Sequence, residues 1–286
     1  MPLQLNRTEC SILIVGATFA GLGAALAALE ENRDVVVVER TALVGREFIE
    51  AFRPGSEWTP PVTKLGQLFR EALMQRGLME EAGPAHLPAL HPLLCSLVKE
   101  NGLKVRFLTE IVDVTRRGDQ YEVTLHDASG CGTLAADTIV DTTSQRLTSP
   151  GQPAVPGRKW IRAYLYNTDI RDAVLPEQID EMMTVCRGRY RSEVILRVEA
   201  APEDGWTEVR RRLFAYWQAR PERWKPWTIA AVAGEFESDV PPGPHVQNDG
   251  LIWLPSEAYA NPLNALDQGY DYYKKAVGQR DAATIE

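Results

Sequence analysis

Gly16, Gly21 and Glu39 have the residue types and spacing that dinucleotide chemistry uses. In the run Gly16-Ala17-Thr18-Phe19-Ala20-Gly21, the first glycine permits a tight turn out of a strand. The last lets a helix pack close to that strand, with Ala25 one turn further on. The N-terminus of such a helix offers free N–H groups and a partial positive charge to a diphosphate. A carboxylate about twenty residues further along accepts hydrogen bonds from a ribose, and Glu39 stands at that distance. Its charge opposes a 2′-phosphate, which argues against NADP. Thr18 departs from the pattern, standing where glycine ordinarily lets the backbone approach the phosphates. Its hydroxyl either weakens that contact or adds to it.

The flanking residues supply the elements these positions need. Residues 11–15 (SILIV) read as a buried parallel strand, the run LGAALAALEE after Gly21 as a helix, and residues 34–38 (DVVVV) as a second buried strand ending at Glu39. The order is strand, glycine turn, helix, strand, acid. Around this unit lies a chain of 286 residues, 44% hydrophobic and 24% charged, which fits an ordinary globular protein of one or two domains. Its 31 basic and 39 acidic residues give a net charge of −8 with no basic stripe, so nucleic acid is not an expected partner. The most apolar N-terminal stretch is interrupted by Gly16, Gly21 and Gly23 and is read as strand and helix, not as a membrane span or leader. The expected compartment is the cytoplasm. Cys10, Cys95, Cys131 and Cys186 are widely spaced and make neither a metal knuckle nor a dithiol pair. No metal site is expected.

The segment SILIVGATFAGLGAALAALEENRDVVVVERTALVGRE resembles the FAD-binding opening of the glutathione-reductase-like, two-dinucleotide-binding-domain flavoproteins. By that resemblance Arg40 lies near the adenine end and Gly45-Arg46 near the diphosphate or flavin. Residues 101–139 alternate in short strands with turns at Arg117-Gly118 and Ser129-Gly130, which reads as a β-meander. The family carries a similar meander, and its match at TEIVDV implies that Ile111 and Val112 meet the adenine ring. The returning strand ends at Thr142-Thr143-Ser144, where relatives have a glycine. Residues 251–254 (LIWL) and the helical stretch after Asn261-Pro262-Leu263-Asn264 match the strand and helix that close such a domain. The helix start would face the flavin. The implied fold class is α/β: a Rossmann-like FAD-binding domain with parallel sheet and β-meander, plus a smaller α+β substrate region. Residues 1–150 and 251–286 would form the first, 151–250 the second.

Elsewhere, a helix is expected from Lys64 to Gly77 with an apolar face, and another from His91 to Glu100. The substrate region shows strand-like runs at Trp160–Tyr166, Ser192–Val198 and Thr228–Val232 and a helix at Trp206–Arg220. Trp206, Trp217, Trp224 and Trp227 form a packed core, an apolar wall over a flavin or an interface. His245, in the loop before the closing strand, is the first residue to test as an acid or base, beside the plain reading of a loop histidine. His86, His91 and His126 lack ligand spacing. Without a second glycine-rich βαβ unit or a cysteine pair, direct oxidation of a small organic substrate by hydride transfer to flavin is favoured over disulfide chemistry. The short cap suggests that a second chain, identical or different, completes the site. A non-catalytic FAD- or nucleotide-binding subunit and an NAD-dependent dehydrogenase remain open alternatives.

Overall fold

A computed structural model describes residues 7–81, 83–167, 183–190 and 194–284; the expected strand start at Ser192 lies outside them. Two sheets organise the described residues. The N-terminal unit runs β1 (Arg7–Val15), α1 (Phe19–Glu30), β2 (Val35–Val38), a short α2 (Arg46–Ile49), α3 (Lys64–Gln75) and α4 (Leu87–Glu100). β3 (Lys104–Arg106), β4 (Glu110–Arg117), β5 (Gln120–Asp127) and β6 (Gly130–Asp141) come next. The second region holds β7 (Lys159–Asn167), β8 (Met183–Arg187), β9 (Val194–Ala200), α5 (Trp206–Gln218), β10 (Trp227–Val232) and β11 (Glu237–Ser238). The chain then returns through β12 (His245–Asn248), β13 (Leu251–Trp253) and α6 (Pro262–Thr284).

The first sheet has the order β12-β13-β6-β1-β2-β3, parallel from β13 to β3. β1 and β2 consist of Val, Ile and Leu because both faces of a parallel sheet are covered. The meander β4-β5 continues antiparallel from the N-terminal half of β6. Helices α1 and α6 cross at a backbone-to-backbone distance that only glycine permits: a Cβ on Gly23 would lie 2.2 Å from the Leu266 carbonyl oxygen, and one on Gly269 1.9 Å from that of Ala20. This crossing fixes the chain's closing helix against the helix that opens the cofactor unit. The core that these two helices share with α2, α3 and α4 collects Phe19, Leu22, Phe48, Leu73, Leu90 and Leu94.

α4 begins at Leu87, earlier than His91, since Pro88 lies in the first turn, where its missing N–H costs nothing. Pro92 then sits inside the helix.

The second sheet is antiparallel, in the order β10-β7-β9-β8, with β11 pairing β7. One face packs on α5. Trp217, Trp224 and Trp227 are buried there, with successive ring centroids 6.2 and 6.0 Å apart, and Trp206 packs at their margin. These tryptophans are a core and not a wall over the cofactor. Among the described residues the smaller region is thus an antiparallel sheet with one α-helix, and β12, at residues 245–248, belongs to the first sheet.

Candidate active site

The C-terminal ends of β1, β2 and β6 open into a cleft. Its walls carry Gly16, Thr18, Glu39, Arg40, Arg46, Ile111, Thr143 and Ser144 from the sequence-derived set, together with Glu47, Thr142, Gln145, Glu235 and Glu257. Gly16 has φ +95°, a left-handed conformation suited to the turn. A Cβ on Gly21 would stand 2.2 Å from the Gly16 carbonyl oxygen, so this glycine is what lets α1 approach β1. Gly45 also adopts a left-handed φ of +66° and accepts α2 behind it.

Glu39 is buried at the end of β2. Its Oε2 accepts from Ala17 N–H (3.0 Å), and its Oε1 accepts from Thr41 N–H (2.9 Å) and the Thr41 hydroxyl (2.7 Å). A carboxylate has about four acceptor positions, so one remains toward the cleft. Arg40 donates to Gln145 (2.9 Å) across the mouth. Arg46 pairs with Glu235, while its Nε is buried without a partner. Burial pushes the Glu235 carboxyl upward despite that pair.

The start of α1 is where structure and sequence pattern part. Thr18 caps the helix: its Oγ1 accepts from Gly21 N–H (3.0 Å) and donates to Thr142 (2.7 Å). Phe19 N–H donates to Glu47 Oε1 (2.8 Å), and Ala20 N–H to the Ser256 hydroxyl (3.1 Å), which itself donates to Glu47 Oε1 (2.7 Å). The donors that a helix start ordinarily leaves open are therefore met by the chain's own side chains. Glu47 supplies the anion. Its second oxygen is buried without a partner, and desolvation pushes its carboxyl up to about 7. Sequence reasoning passed over Glu47 and Ser256, which lie far apart in the chain and meet only through the sheet; the acid directly after Gly45-Arg46 was the available signal.

Other expected residues lie elsewhere. Val112 is half-exposed on β4 and does not line the cleft, whereas Ile111 does. Asn261 caps α6 by accepting from Asn264 N–H (2.9 Å) and ties it to the carbonyls of Ser56 and Glu57, with Pro262 and Leu263 packed in the core. Asn264 stands over Thr59, and none of the four lines the cleft. His245 is on the edge strand β12, its ring against Trp253 at 5.1 Å, outside the cleft. The four cysteines are free, and no group of His, Cys, Asp or Glu suited to a metal ion occurs among the described residues. No helix among them is long and apolar enough to cross a membrane.

A parallel sheet with a glycine turn, an acid at the end of its second strand and a meander defines a Rossmann-type nucleotide-binding oxidoreductase fold. More specifically, the chain belongs to the FAD-dependent oxidoreductase family, whose model matches residues 11–226. It is similar to an L-glutamate oxidase precursor of Streptomyces diastatochromogenes, 29% identical over 202 residues. That match takes in 67% of this chain and 27% of the relative, so the chain spans about a quarter of that protein's length. Among solved structures it is similar to a flavoprotein/dehydrogenase from Cytophaga hutchinsonii, with 15% identity, 96% of this chain and 79% of that one covered, and a TM-score of 0.63. A p-nitrophenol 4-monooxygenase from Pseudomonas putida gives 14%, 94%, 78% and 0.59 in the same terms. At such identities the likeness concerns the fold.

Membership of this family decides the cofactor class in favour of flavin over NAD. The residues fit FAD at its adenosine end, where Val38, Glu39, Thr109 and Ile111 form the wall and Glu39 keeps a free acceptor. At the diphosphate end Glu47 holds the Phe19 donor that a phosphate oxygen would use, so the start of α1 offers that donor only when Glu47 is displaced.

Proposed function

We propose that this chain oxidises a small organic substrate by hydride transfer to FAD, with the substrate held between the second sheet and the cofactor unit. The carrying observation is that two clefts share Glu257 in their walls. One is the dinucleotide cleft; the other, about 410 Å³, lies between one face of the second sheet and the segments 53–56 and 257–260. Bound FAD supplies a two-electron acceptor. The chain supplies position and proton control: the substrate gives up a hydride and a proton, and Glu257 stands at the junction with its carboxyl pushed by burial up to about 8. It accepts from Ser238 N–H and therefore has a fixed orientation. A group poised near the working pH suits general acid–base duty.

Kinship with the glutathione-reductase-like branch of the flavoproteins is supported by the βαβ unit and the meander. The name of the Streptomyces relative, an oxidase, supports direct oxidation with an external electron acceptor. We further propose that a second chain covers the cleft, since the second sheet among the described residues is small. The test of the main reading is spectroscopic: protein supplied with FAD retains yellow flavin absorbance through gel filtration, and a substrate bleaches it under anaerobic conditions. Failure to retain flavin refutes the reading. Gel filtration in the same run tests the second chain, for which an active monomer is the refuting result.

A further inference from the structure

The larger cleft holds an unbalanced group of charges. Arg162 on β7 and Arg197 on β9 are direct cross-strand partners, an arrangement that like charges disfavour. Glu237 on β11 reconciles them. Its Oε2 accepts from Arg162 Nε (2.7 Å) and Arg197 Nε (3.1 Å), and its Oε1 accepts from Arg197 Nη2 (3.1 Å). Arg53 adds a third guanidinium at 3.5 Å from Oε1, and it is tethered by the Glu257 and Tyr259 carbonyls. The side chains of Arg162 and Glu237 are each 8% exposed.

Three guanidiniums thus surround one carboxylate. The remaining acidic groups in the cleft offset them less: Asp239 stands at the rim beside Arg158, and burial pushes the Glu257 carboxyl up to about 8, which favours its neutral form. Cys186 faces Arg162 Nη1 at 3.1 Å as a thiol that burial keeps protonated. The excess is positive, and removing such charge from water is costly without an anion beside it. Arg197 is the exposed member at 29%, its guanidinium lying 3.8 Å from the Trp160 ring centroid. That stacking fixes the plane of a fork whose Nη1 has no hydrogen-bond partner among the described residues.

We infer that this cleft binds the carboxylate of a small organic acid, with Arg197 as the entering fork and Arg162, Arg53 and Glu237 holding it in place. A planar guanidinium presents paired donors that match a carboxylate. The inference rests on the oxidoreductase reading for the chemistry after binding, because it places the acid's remaining carbons toward Glu257 and the cofactor cleft. Binding itself does not depend on that reading.

Isothermal titration calorimetry on the protein supplied with FAD tests it, with succinate and benzoate as probes, succinamide as the neutral counterpart and inorganic phosphate as a non-planar anion. We expect at least one carboxylate to bind, succinamide not to bind, and phosphate to bind about tenfold more weakly or worse. Arg197→Gln should weaken the carboxylate about tenfold, with Arg197→Lys restoring little of it. Absence of binding by both carboxylates, or equal binding of succinamide or phosphate, overturns the assignment from wild-type protein alone. Unchanged affinity in Arg197→Gln overturns the role of that residue. Flavin absorbance of the same samples separates the two proposals: carboxylate binding without flavin uptake defeats the oxidoreductase reading only, and flavin uptake without carboxylate binding defeats this one only.

Discussion

Because Glu47 holds a helix donor that the diphosphate of FAD would use, cofactor affinity should depend on pH through this one carboxyl. Its carboxyl is pushed from an ordinary 4.5 up to about 7 by burial, and the cofactor brings negative charge to the same place. Below about pH 7 the residue is mostly neutral and displacing it costs little. Above, each pH unit should weaken FAD about tenfold, equivalent to about 1.4 kcal/mol. Replacing Glu47 by Ala removes the charge and releases both Phe19 N–H and the Ser256 hydroxyl. At about pH 8 this should tighten FAD roughly tenfold and flatten the profile. Glu47→Gln should flatten it with a smaller gain, since an amide oxygen still occupies the Phe19 donor. Titrating FAD by quenching of its fluorescence from about pH 6 to about pH 8.5 reads all three proteins. A wild-type affinity that does not vary over that range, or weaker binding in the alanine variant, refutes the reasoning.

Stability should fall as pH rises from about 4.5 toward about 8, because Glu47 and Glu257 both have folded-state values above their unfolded ones and their contribution is lost through the folded values. Chemical denaturation should show the slope reduced in Glu257→Gln, and an unchanged slope would count against the burial argument. Thr18→Ala removes the α1 cap and the bond to Thr142, so urea melts should show a loss of about 1–2 kcal/mol. Gly269→Ala puts a Cβ into the Ala20 carbonyl and should cost about 3 kcal/mol or prevent folding, as soluble yield and thermal melts would report. Leu213→Ala, in the fully buried core of the second region, should cost about 2–5 kcal/mol by the same melts.

The cofactor unit was readable in the sequence because its constraints are local. Val, Ile and Leu runs covered on both faces, glycines at turns and an acid at a strand end need no knowledge of distant residues. Gly118 and Gly130, expected at meander turns, adopt φ of +64° and +107°. What was not readable depends on convergence. Glu47 and Ser256 are 209 residues apart, and Arg162 and Glu237 are 75 apart; only the two sheets bring them together. A partial signal existed in Arg162 and Arg197, single basic residues inside apolar strands (WIRAYL, VILRVE), which need an internal counter-charge wherever they point inward. The tryptophans carried no comparable signal, since a core and a cofactor wall ask for the same side chains. The terminal helix was likewise predicted as an element, but its first residues serve its own cap and the loop at 56–57.

The two clefts treat negative charge in opposite ways. At the helix start, Glu47, Ser256 and Thr18 answer the donors of Phe19, Ala20 and Gly21, so a diphosphate that takes the Phe19 donor must displace an internal carboxylate and gains only the difference between the two. In the second cleft, Glu237 answers part of a threefold positive charge, so an incoming carboxylate would complete a balance. Glu257 lines both, and an anion beside Arg53 would weaken the positive field that now opposes its protonation. Substrate binding would therefore raise the proton affinity of the group at the junction. The same linkage requires that protonating Glu257 tighten the substrate. Carboxylate affinity measured across about pH 7 to about pH 9 should fall in wild-type protein and hold steady in Glu257→Gln, and parallel curves for the two would break the proposed connection between the clefts.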